Sequence, residues 1–149
     1  MTLLFTLLLS GCSSKDKDIA FPSDSEILQK VTPYLSDTVK QDLSQDIFLE
    51  ANLGLTSDDV LNPVLYMGMP NQNTTYFCMF TLVEKSHIQE VKEHLTLIME
   101  NWVDSAEQGY LSGSSAYEII QKGDKIFVIM HEDANSFNEL VAYINSLPE

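Results

Sequence analysis

Behind Ser86, apolar residues return at a fixed pace: Ile88, Val91, Leu95, Ile98 and Trp102, at spacings of 3, 4, 3 and 4. Those intervals keep the side chains on one side of a helix of about five turns, with polar residues on the other. Such a helix does not hold itself in water; its stripe needs a broad apolar surface to lie on. Ser86-His87-Ile88-Gln89 reads as a capping box at its start, the Ser hydroxyl and Gln side chain serving each other's backbone donors. The helix runs to Gln108, and Gly109 marks its stop. Whatever else the chain forms must supply the surface this helix covers.

Two pairs of strands can do so. The segment Thr74 to Val83 carries Tyr76, Phe77, Phe80 and Val83 and is apolar on both faces, which predicts a central strand. A turn at Pro70-Asn71-Gln72-Asn73 joins it to a strand around Val64 to Met69, entered from Thr56-Ser57-Asp58-Asp59. Beyond the helix, a Gly/Ser loop from Tyr110 to Ser115 leads to Tyr117–Gln121 and Lys125–His131, a second hairpin across Lys122-Gly123-Asp124. Ile126, Val128 and Met130 face one way, Phe127 and Ile129 the other. At the ends, Ser23 to Val31 predicts a helix burying Ile27, Leu28 and Val31 and stopped by Pro33. A last helix begins at Asp133 or at Ser136, which opens a second capping-box pattern with Glu139, and buries Phe137, Leu140, Val141 and Ile144. Residues 34–56 read as a short helix or loop. The expectation is an α+β fold: an antiparallel sheet of about four strands in two hairpins, the long helix between them, and helices at both ends, all packed on one face.

Charge narrows the partners. Eight lysines, with no arginine, stand against 22 acidic residues, a net charge of −14. A nucleic-acid partner needs clustered cations and is excluded, as is electrostatic docking on anionic lipid. The N-terminus points to a membrane by another route. Leu3 to Leu9 is an apolar run far too short to span a bilayer, which takes ~20 residues, but suited to the core of a secretory signal. No Lys or Arg precedes it. The ending Leu9-Ser10-Gly11-Cys12 has the form of a bacterial lipobox, in which small residues admit a peptidase and the Cys12 thiol accepts diacylglycerol. Residues 1–11 are then a signal peptide, residues 12–22 a polar tether, and residues 23–149 a single domain held to the membrane through the lipid on Cys12.

The stretch from Val64 to Asp133 resembles a family of small Gram-positive lipoproteins known only as domain of unknown function 4358. The resemblance rests on a strand, Thr75-Tyr76-Phe77-Cys78-Met79-Phe80, leading into the long amphipathic helix. Trp102 and Tyr110 then follow at a short spacing, and a strand runs into Lys122-Gly123-Asp124. Last comes the apolar strand Ile126 to Met130, ending before an acidic residue. Members commonly carry an N-terminal lipobox, which Cys12 supplies; the proline common after Tyr110 is replaced by Leu111-Ser112-Gly113. The resemblance implies an envelope protein on the outer face of the cytoplasmic membrane and carries over no activity and no functional residue.

Residues with chemistry are few. His87, Glu90 and His94 share a helix face, but seven residues set the two imidazoles about 10 Å apart along the axis, so one ion does not take both. Asp58-Asp59 offers two carboxylates where calcium wants about six to eight oxygens. Cys78 sits among aromatics with no partner once Cys12 is acylated, and reads as a small apolar residue. Ser112, Ser114 and Ser115 lack a nucleophile elbow, and no phosphate loop, His-Glu-x-x-His or Cys-x-x-Cys is present. No metal and no cofactor is expected. His131-Glu132-Asp133, at a strand end, is the one polar cluster of interest: it caps the following helix or, in a second reading, gives a small envelope hydrolase its general base. The first reading is a non-enzymatic interaction or accessory module with an envelope protein or polymer as partner.

Overall fold

Five strands, β1 (Thr38–Lys40), β2 (Val60–Gly68), β3 (Tyr76–Leu82), β4 (Tyr117–Lys122) and β5 (Lys125–Met130), make one antiparallel sheet in the order β1-β2-β3-β5-β4. The computed structural model describes residues 20–69, 72–107 and 116–149. Leu9, Ser10, Gly11 and Cys12 lie outside them, as do Gly109, Tyr110 and the loop serines Ser112, Ser114 and Ser115. The two hairpins, β2–β3 and β4–β5, are joined through an antiparallel β3–β5 pairing, which puts the two most apolar strands side by side at the centre. Every residue of β3 and β5 except Thr81 is buried.

The sheet has one strand more than expected. β1 is only three residues long and pairs Thr38–Lys40 with the end of β2; too short to show an apolar alternation, it falls in the stretch read as helix or loop. That stretch also holds the expected short helix, α2 (Asp46–Leu53), closed by Gly54 in the left-handed region at φ 64°. β2 starts at Val60, earlier than the strand read from Val64. The reason is a bulge: the register slips between Leu61 and Val64, where Asn62 takes φ 50° and Pro63 has no N–H to give. An Asn tolerates that conformation better than most side chains.

Helices cover both faces, not one. With α1 (Asp24–Val31), α3 (Ile88–Glu107) and α4 (Ala134–Asn145) named, the core divides at the sheet. On one face α2 and α3 place Leu49, Leu53, Val91, Leu95 and Met99 over Leu65, Tyr76, Cys78, Phe80, Ile126 and Val128. On the other, α1 and α4 place Ile27, Val31, Leu140 and Ile144 over Phe77, Met79, Phe127 and Ile129. The physical reason lies in β3 and β5 themselves: strands apolar on both sides leave one side wet unless both are covered. The alternation read along β5, Ile126, Val128 and Met130 against Phe127 and Ile129, is the division between the two cores.

Smaller departures follow from local bonding. The buried stripe of α3 turns on Met99 rather than Ile98, which is half-buried. The Ser86 capping box does not form. The chain makes a 3₁₀ turn over Lys85–His87, and the Gln89 amide donates forward to Glu93 at 2.9 Å. A full capping box stands instead at α1, where Ser23 and Glu26 exchange bonds. α4 begins from Asp133, whose carboxylate caps it, rather than from Ser136. Phe21, assigned to the tether, packs on the α1–α4 core.

Candidate functional site

His131 follows the last residue of β5 and is 8% exposed. Its Nε2 lies 2.9 Å from the carbonyl oxygen of Tyr34, and its Nδ1 accepts the Asp133 N–H at 2.9 Å. The ring is fixed by these partners with its proton on Nε2, donated to Tyr34, and the lone pair of Nδ1 already taken. Asp133 turns the other way: its carboxylate accepts the Ser136 N–H at 2.8 Å. Bonds from the Ser136 backbone, then from its side chain, hold that carboxyl below the ordinary aspartate range. Glu132 is exposed, and its N–H reaches the Thr75 hydroxyl at 3.4 Å. A cavity of about 130 Å³ opens beside the ring, lined in part by Asp37, Thr75 and Ser136. The three residues thus meet in space as their adjacency requires, but in the roles of a latch and a cap. The imidazole ties the end of β5 to the turn after α1, and no nitrogen is free to take a proton from a substrate.

The second gathering of titratable groups joins residues that the sequence keeps apart. Where the β2 entry meets the start of α3, one cavity of about 210 Å³ is lined by Asp58, Asp59, Leu82, Glu84, His87 and Val91. It adjoins another of about 340 Å³, lined by Gly54, Leu55, Asp59, His87, Glu90, Val91 and His94. Asp59 is committed to the turn: its Oδ2 accepts from the Thr56 N–H and from the Thr56 hydroxyl, each at 2.8 Å. Those two bonds, the backbone one first, lower its pKa. His87 Nε2 stands 3.9 Å from Glu84 on an exposed surface. The His94 ring lies against Gly54, in the space a Cβ there would fill. Among the described residues no three His, Cys, Asp or Glu side chains are placed to share a metal ion. What the groove offers is a negative, shallow surface with an apolar floor.

Cys78 is fully buried under α3, and burial pushes its thiol far up, which leaves no thiolate for nucleophilic chemistry. Two polar residues of structural weight went unread. Lys122 and Lys125 flank the β4–β5 turn, yet both are buried. Lys125 Nζ reaches Asp24 Oδ1 at 2.6 Å and Thr81 Oγ1 at 2.8 Å, pinning α1. Lys122 Nζ reaches the Asn145 carbonyl at 3.0 Å and Glu149 at 3.1 Å, pinning the end of α4. The available signal is their flanking of a two-residue turn, with every other residue of β5 apolar.

No family model, no curated protein and no solved structure matches this chain. No helix among the described residues is long and apolar enough to cross a membrane. The fold and site define a class at the level of architecture: a three-layer α+β domain, acidic, with its His131–Asp133 cluster spent on a latch and a cap.

Proposed function

We propose that this protein is a lipid-anchored component of a Gram-positive envelope, whose domain acts by binding a partner rather than by turning over a substrate. The anchor is diacylglycerol on Cys12, which places the domain on the outer face of the cytoplasmic membrane. The observation that carries the reading is Leu9-Ser10-Gly11-Cys12 directly behind the apolar run from Leu3 to Leu9. The resemblance to the domain of unknown function 4358 lipoproteins agrees with it and adds no activity. Support for binding over catalysis comes from His131. A hydrolase would use it as general base, but its two nitrogens are bonded to Tyr34 and Asp133.

Intact mass spectrometry of the protein recovered from membranes, beside a Cys12→Ser variant, tests the anchor. The expected result is a mass for residues 12–149 plus a diacylglyceryl adduct, absent in the variant. An unmodified full-length mass in the soluble fraction refutes it.

A further inference from the structure

The two edges of the sheet are built differently. At the β1 edge the strand is three residues long and carries the exposed Lys40, and the part of β2 it leaves uncovered is broken by the bulge at Asn62 and Pro63. Those are the devices by which proteins stop a sheet from growing: a short strand, an outward cation, a bulge, a proline. At the other edge β4 is twice as long, with no bulge and no proline, and its charges are the exposed Glu118 and an inward lysine. Its six residues are in unbroken register with β5, from Tyr117↔Met130 to Lys122↔Lys125. The lysine it carries is turned inward and spent on Asn145 and Glu149.

The direction of the free backbone groups follows from the neighbouring pairing. The Leu82 N–H donates to the Asp124 carbonyl, so the even-numbered residues of β5 bond β3 and the odd-numbered ones bond β4. On β4 this consigns Glu118, Ile120 and Lys122 to β5. It leaves the N–H and C=O groups of Tyr117, Ile119 and Gln121 pointing off the sheet. Among the described residues no backbone hydrogen bond closes that row.

The side chains along the edge alternate in character. Tyr117 and Ile119, half-buried, belong to the α3 side, while Ile120 belongs to the α4 side together with the exposed Glu118. Beside Glu118, two more carboxylates come near this edge from neighbouring elements. Glu149 is bonded to Lys122, and Glu100 lies close enough that, after burial, its charge is the next cause raising the Tyr117 hydroxyl. Among the described residues neither Glu118 nor Glu100 forms an ion pair, in a chain of net charge −14.

We infer that the β4 edge is a docking site for an extended, cationic segment of a partner protein, which adds to the sheet as a sixth strand beside Tyr117, Ile119 and Gln121. The segment alternates: residues opposite Tyr117 and Ile119 are apolar and extend the α3-side core, and residues opposite Glu118 are lysine or arginine. A second copy of this chain fits less well, since it brings another Glu118 and another −14 to the same edge. The inference names the surface for the binding reading above and rests on it. Its test does not involve the lipid, so failure here leaves the anchor measurement standing.

The test is amide hydrogen exchange on the purified full chain, with three seven-residue peptide probes: valine alternating with lysine, valine alternating with glutamate, and the lysine peptide with a central proline. The lysine peptide is expected to slow exchange at Tyr117, Ile119 and Gln121 by about tenfold or more, with the glutamate and proline peptides doing little. Glu118→Lys, a change on an exposed side chain, is expected to weaken that protection several-fold. Ile119→Pro removes an outward N–H and no ladder bond, and is expected to abolish it; if that variant fails to fold, Glu118→Lys and the glutamate peptide carry the test. Binding without protection of those three amides overturns the inference, as does equal protection by the glutamate peptide. So does protection that rises with protein concentration when no peptide is present, which assigns the edge to a second copy.

Discussion

The buried ion pair between Lys125 and Asp24 makes an asymmetric prediction that ordinary contact counting does not. The Lys125 side chain is 9% exposed and that of Asp24 is 30% exposed, at 2.6 Å. Lys125→Met keeps most of the aliphatic stem and deletes the ammonium. It forfeits the charge-assisted bond to Asp24, worth about 1.5–3 kcal/mol, and the bond to the Thr81 hydroxyl, but also removes the cost of holding an ammonium out of water. Asp24, left alone, is open enough to be rehydrated. The net loss is about 1–2 kcal/mol. Asp24→Ala does the reverse, leaving the ammonium buried with the Thr81 hydroxyl alone, and costs about 3 kcal/mol. A few tenths more go with the lost acid in the first turn of α1. The double variant should cost less than the sum by about 2 kcal/mol, because the second change removes the charge that the first one stranded. Urea unfolding of the four proteins at neutral pH measures all three quantities. If Lys125→Met costs as much as Asp24→Ala, or if the two add, the pair is not a buried charge balance and the reasoning is wrong.

Three further outcomes follow from named bonds. His131→Ala strands the Tyr34 carbonyl and the Asp133 N–H, and should lower unfolding stability by about 2–3 kcal/mol in urea; a near-neutral result would deny the latch. Gly54 and Gly123 both sit at positive φ, 64° and 61°, but a Cβ at 54 meets the His94 ring whereas one at 123 meets nothing. Gly123→Ala should therefore cost about 1 kcal/mol and Gly54→Ala more, with the excess vanishing in a His94→Ala background. Asp59 is lowered in the folded state by the Thr56 bonds, so its contribution is present above the ordinary aspartate value of 3.8 and is lost as pH falls through the lowered one. Asp59→Asn should be less stable than the parent at neutral pH and should show a shallower loss of stability on acidification, read from urea midpoints between about pH 2 and 6. An unchanged acid slope would show that Asp59 is not the group responsible.

What was legible in the sequence was whatever repeats over a long enough stretch to outweigh accident. The twenty-residue α3 announced itself by spacing, and the two hairpins by turn residues between apolar runs. Its buried face moves from Ile98 to Met99 because spacings of 3 and 4 average 3.5 residues while the helix turns about every 3.6, so the stripe drifts along it. β1 left no trace because three residues, one of them the exposed Val39, contain no pattern. Capping was legible in kind and misplaced in position. Ser23-x-x-Glu26 has the same form as the Ser86 pattern, and only the former box closes, since at Ser86 the chain enters α3 through a 3₁₀ turn and Gln89 finds Glu93.

The sites divide along the same line. His131, Glu132 and Asp133 are adjacent, so their meeting was never in question; what adjacency hid was the Tyr34 carbonyl, a residue from the far end of the chain, which turns a candidate base into a strut. The Asp59–His87 groove is the converse case. Asp58-Asp59 and His87, Glu90 and His94 are each too sparse to mark a site alone, and the β2–β3 hairpin brings them to one groove. The packing of helices on both faces, by contrast, could have been deduced. β3 and β5 read as apolar on both sides, and three amphipathic helices were on hand. Burying about 25 cal/mol of hydrophobic free energy for every Å² leaves no reason for all three to crowd one face while Phe77, Met79, Phe127 and Ile129 stay wet on the other. A sheet covered on both faces can grow only along its edges, and of its two edge strands β4 is the longer, with no further strand paired to it among the described residues.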